Sequence, residues 1–206
     1  MMPIANYNTF LCQFEAVKDH SRLFMLVLFD SRPSHGGVER FVDANFGWLD
    51  NLAASKNMFG FAFLKTDDYG EVQTNPSLEL AAHFGIQPNE LPGIVAFTMF
   101  PDRASISNGV YLPLNAKLFR EDLDIVEDVF ADVFSIFGQA LEETETEEAL
   151  MKVIGERFKN IRKEEKRRPL IKFLGERIRA LATLPDKLLE AAASSFGEAL
   201  GTRLGS

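Results

Sequence analysis

The chain has 206 residues, 46% hydrophobic and 25% charged, which suits one medium globular domain or one domain with an appendage. Its net charge of −8 excludes a surface coated throughout with basic groups for nucleic acid. The single cysteine, Cys12, excludes an intrachain disulfide, dithiol exchange and any cysteine-based metal cluster.

In chain order, Phe10, Leu11, Phe14 and Val17 fall at helical spacing and predict a helix over 8–19. Cys12 is expected on its apolar side as a small buried hydrophobe. Leu23–Phe29 is an unbroken apolar run ending at Asp30, short enough for a strand buried on both faces. Pro33, Gly36 and Gly37 make 31–37 a loop. Val38, Phe41, Val42, Phe46, Leu49 and Leu52 mark one face of a helix reaching about Ser55. Met58–Lys65 predicts a second buried strand, and Thr66–Gly70 a polar turn.

Asn75-Pro76-Ser77 opens a short helix to about Phe84, with Asn75 as cap and Gly85 as stop. Ile94–Phe100 predicts a third strand. Val110–Leu114 predicts a weaker fourth, placed at an edge by Pro113. A long helix over 119–141 presents Leu123, Val126, Val129, Phe130, Val133, Phe134 and Phe137 on one face. The alternation of helices and buried strands predicts an α/β domain over 1–141 with a central sheet.

The acidic run 142–148 reads as a linker. Beyond it, 149–206 is expected to be all-helical, about three amphipathic helices divided at Pro169 and Pro185. Charge concentrates there: residues 152–179 hold 11 basic and 4 acidic side chains. The start of the chain does not read as a signal peptide, and the apolar stretch Leu91–Pro101 is about half a bilayer span. A cytoplasmic protein without a transmembrane segment is expected.

Two stretches carry a resemblance over residues 8–141. Thr9–Asp30 is a helix running straight into a buried strand. Asn75–Thr98 is an Asn-Pro-opened helix ending at Gly85-Ile86, followed by a strand introduced by a proline. Together they resemble the thioredoxin superfamily. The resemblance implies a thioredoxin-like fold, a mixed sheet flanked by helices, with Leu91–Pro92 as a cis peptide. It places Ser34-His35-Gly36-Gly37 where the family carries Cys-x-x-Cys, and Leu28 where thioredoxins often keep a buried carboxylate. The implied function is a redox-inactive protein-binding or scaffold module, using Ser34, His35, Gly36, Gly37, Leu91 and Pro92. An alternative is a glutathione-transferase-like enzyme that holds a thiol or anion at the same helix start.

Other candidates are weaker. Ser34 and His35 are neighbours that rarely turn their side chains on one another, and no acid partner is identifiable, so a turn is favoured over a nucleophile pair. His20, His35 and His83 are far apart, and neither a metal nor another cofactor is expected. Glu121, Asp124, Asp128 and Asp132 line one helix edge, a solvated face or a docking surface for a basic partner. Arg157, Lys159, Arg162, Lys163, Lys166, Arg167 and Arg168 form the basic patch. It could meet an acidic protein surface or, peripherally, an anionic membrane, and nucleic acid is disfavoured by the acidic chain. A protein partner or self-association is expected.

Overall fold

The computed structural model describes residues 1–30, 32, 35–64, 75–99, 106–161, 163–164, 168–175 and 178–181. The chain starts with a short strand, β1 (Met2–Ile4), then helix α1 (Tyr7–Val17), strand β2 (Phe24–Leu28) and helix α2 (Gly36–Ser55). Next come β3 (Phe59–Phe63), α3 (Ser77–His83), a 3-10 turn at Pro88–Glu90, β4 (Gly93–Met99) and β5 (Ile106–Pro113). Helices α4 (Leu118–Glu121), α5 (Leu123–Glu143), α6 (Glu147–Ile161) and α7 (Arg168–Phe173) follow, and strand β6 (Arg179–Leu181) comes last.

The strands form one mixed sheet in the order β1-β3-β2-β4-β5-β6. β1, β3 and β2 run parallel, while β4, β5 and β6 are each antiparallel to the preceding neighbour in that order. Every residue of β2 and β4 is buried, as their unbroken apolar sequences require. Phenylalanines fill the space on either side. Phe10 and Phe14 of α1 pack on Phe61, Phe24 and Phe97 of the sheet at ring separations of 5.2–6.2 Å. Phe84, at the end of α3, joins them through Phe97. A second group links α2, α4, α5 and α6 through Phe41, Phe119, Phe130, Phe134, Phe137 and Phe158.

This mixed α/β architecture is compatible with the resemblance, and the Leu91–Pro92 peptide is cis. Four local expectations need correction. The helix expected over 119–141 is two helices, because Asp122 is extended (φ −157°, ψ 89°) and its carboxylate caps Ile125 N at 3.2 Å. The stretch beyond 149 is not all-helical: β6 adds to the sheet beside Gly109–Tyr111. For that reason β5 is not an edge strand, although Pro113 lies beyond the pairing and costs no ladder bond. Cys12 is exposed, because the buried face of α1 runs through Phe10, Leu11, Phe14 and Val17 and position 12 points away from it. The turn expected over Thr66–Gly70 and the helix after Pro185 lie outside the described residues.

Candidate functional site

The register of β2 against β4 ends at Leu28–Gly93. Phe29 follows Leu28 and Pro92 precedes Gly93, so the 30–37 loop and the Leu91–Pro92 segment leave the ladder at the same end of the sheet. This brings together the two parts that the resemblance selects. Ser34 lies outside the described residues. His35, Gly36 and Gly37 form the entry to α2, where His35 takes the cap position without a side-chain capping bond.

The loop is held by a carboxylate that sequence reasoning passed over. Asp30 is 6% exposed, and its Oδ1 lies 2.5 Å from His35 Nδ1, a close ion-pair contact rather than a well-aligned hydrogen bond. The same carboxylate accepts the Arg32 backbone N–H at 3.2 Å and pairs with the Arg32 guanidinium. Arg32 also donates from Nη2 to the carbonyl of Pro88 at 2.7 Å, which ties the loop to the turn before Leu91–Pro92. From the other side, Asn75 Nδ2 donates to Phe29 O and Ser77 Oγ accepts from Phe29 N, so the start of α3 fixes the end of β2. Burial pushes the His35 pKa below its ordinary value; Asp30 opposes that shift, and Arg32 and Arg120 reinforce it.

Gly37 has a packing role. A Cβ there would meet the Phe119 carbonyl at 2.9 Å, so its missing side chain lets α4 close on the start of α2. Gly93 likewise makes room for the Tyr111 ring, whose hydroxyl donates to Glu90 O at 2.5 Å. Arg179 of β6 reaches the same segment, donating to Gly85 O at 2.9 Å, with its guanidinium 3.7 Å from Glu90. The run from Gly85 to Gly93 is therefore pinned from β5 and β6.

Asp30 beside His35 Nδ1 has the form of an acid orienting a general base. Among the described residues, no hydroxyl or thiol is hydrogen-bonded to that imidazole, and the same carboxylate holds Arg32. The signal available in the sequence was an acid closing an apolar strand five residues before a histidine.

The other candidate residues do not join this site. Asp124, Asp128 and Asp132 are exposed on α5, while Glu121 belongs to the separate helix α4. Arg157 pairs with Glu143 and donates to Gln139 Oε1 at 2.9 Å, so it meets the end of α5 rather than the acidic stretch near its start. Lys159 and Lys163 are exposed, and Arg168 lies in α7. Arg162, Lys166 and Arg167 are outside the described residues. Among the described residues, no helix is long and apolar enough to cross a membrane, and no group of three His, Cys, Asp or Glu is placed to hold a metal ion.

Compared with known proteins, the chain matches no family model, no curated protein and no solved structure.

Proposed function

We propose that this chain is a thioredoxin-like domain without dithiol chemistry that binds a protein partner at the loop end of its sheet. The strand order β1-β3-β2-β4-β5, with its parallel and antiparallel halves, supports the fold assignment. The only cysteine lies on α1, away from the 30–37 loop. What carries the reading is Arg32, which pairs with Asp30 at the end of β2 and donates to the Pro88 carbonyl, tying that strand end to the turn before Leu91–Pro92. A preorganised surface loses little conformational entropy on binding.

The same geometry weighs against a thiol- or anion-binding enzyme. A helix start attracts anions, but here the buried Asp30 carboxylate already stands beside it and engages the Arg32 guanidinium that an incoming anion would need.

Affinity capture from native lysate tests the proposal, using the full chain, Arg32→Ala and Lys159→Ala, the latter at an exposed position of α6. A partner held by the wild type and Lys159→Ala but released by Arg32→Ala supports it. Equal capture by all three removes the surface from consideration. Glutathione titration that perturbs His35–Gly37 would replace it with the enzyme reading.

A further inference from the structure

A cleft lies at the opposite end of the sheet. Arg22 precedes the start of β2, whereas Asp30 follows its end, so the two features are separated by the length of that strand. Here the turn after α1 (Asp19, His20, Arg22), the end of α2 (Ser55, Lys56, Asn57) and the last turns of α5 (Gly138, Leu141, Glu142) enclose a cleft of about 410 Å³. That volume is within the range that holds small molecules, about 300–1,000 Å³.

Charges of both signs meet in it. Two cations, Arg22 and Lys56, and two carboxylates, Asp19 and Glu142, line one cleft. Among the described residues, Asp19, Lys56 and Glu142 make no ion pair or side-chain hydrogen bond. Arg22 donates Nη1 to Thr144 O at 2.7 Å, and its Nε stands 3.7 Å from Glu147. Its Nε and Nη2 make no hydrogen bond, a cost that buried donors usually avoid. Lys56 is laid against α5 by design of the backbone: a Cβ on Gly138 would meet Lys56 Cδ at 2.6 Å. The carbonyl ends of α1, α2 and α5 also converge here, which favours a cationic group beside Asp19 and Glu142. Leu141 supplies an apolar wall.

Opposite charges that share a cleft without pairing suit a ligand that carries both. We infer that this cleft binds a small zwitterion of the free α-amino-acid class. Its carboxylate meets Lys56, its ammonium meets Asp19 and Glu142, and its side chain lies along Leu141, while Arg22, already held by Thr144 and Glu147, stays in the wall. The site is independent of the partner-binding reading, since no residue is shared with the 30–37 and 91–92 surface.

The test is NMR titration of the full chain with L-leucine, N-acetyl-L-leucine and L-leucinamide, following the amides of residues 19–22, 55–57 and 138–142. L-leucine should shift these amides. Each analogue, having lost one charge, should bind about tenfold more weakly or worse, as loss of a charge-assisted hydrogen bond implies. Lys56→Met and Glu142→Gln keep side-chain volume and should weaken L-leucine by a similar factor, with the rest of the amide spectrum reporting that the fold is kept. No response to L-leucine at tens of millimolar overturns the proposal. So does binding of either singly charged analogue as tight as that of L-leucine, or an unchanged affinity in both variants.

Discussion

Asp30 and His35, five residues apart across the exit from β2, meet at 2.5 Å through Oδ1 and Nδ1, with both side chains 7% exposed. Burial makes the imidazole harder to protonate than its ordinary value of 6.5, despite the neighbouring carboxylate. The unfolded chain therefore takes up this proton first as the pH falls. In that window the unfolded state holds more protons, and stability rises with pH. The contribution from His35 is present above pH 6.5 and is lost as the pH drops through and below that value. Urea denaturation at about pH 7.5 and about pH 5.5 should show the wild type losing more stability than His35→Asn. An equal or smaller loss in the wild type would contradict the assignment.

Gly93 and Tyr111 impose a stricter constraint. A Cβ at 93 would stand 2.2 Å from the Tyr111 ring, and the ring is 1% exposed, with little room to move. Gly93→Ala should cost about 3 kcal/mol, the upper range for overpacking a filled core. Tyr111→Phe keeps the ring but removes the bond to Glu90 O, and should cost about 1 kcal/mol. Thermal melts of both variants would check the order.

These contacts mark the limit of what the sequence made legible. Apolar periodicity located α1 and α2, unbroken apolar runs located β2, β3 and β4, and the Asn75-Pro76 opening with the Gly85 stop located α3. β1 has three residues and β6 has three, too short for any period to emerge. In β6 the deciding contacts are non-local: Arg179 reaches Gly85 and Leu181 packs over Gly109, while Ile178 and Leu181 share the spacing of a helix. The loop residues Gly37 and Pro92 were found by resemblance. Asp30, which organises that end of the sheet, looked like the polar stop of a strand, and only its burial separates it from one.

Asp122 gives the missed helix break a measurable cost. Its carboxylate caps α5 at Ile125 N, and its extended backbone separates α4 from α5. Asp122→Ala should destabilise the chain by about 1 kcal/mol, whereas Asp122→Ser should retain most of that. Denaturation midpoints with unchanged slopes would show the effect as stability alone. If the alanine variant matched the wild type, capping at this position would carry no weight.

α6 completes the core. Leu150, Ile154 and Phe158 are fully buried, and the Phe158 ring packs on Phe137 of α5 with centroids 5.8 Å apart. Removing that ring should cost about 3–5 kcal/mol, since the surrounding helices and sheet cannot collapse far into the space. The ion pair that joins the same two helices at the surface, Arg157 with Glu143, is partly exposed on both sides. Arg157→Ala should therefore cost less than about 1 kcal/mol. The contrast separates two roles for the basic stretch. If hydrophobic burial holds α6 in place, Phe158→Ala lowers the melting temperature steeply and Arg157→Ala barely moves it. If charge held it instead, the order would reverse, and added salt would lower the wild-type melting temperature as well. A chain ending at Glu143 would then melt as a folded unit, whereas burial by α6 predicts that it aggregates or exposes apolar surface to a hydrophobic dye.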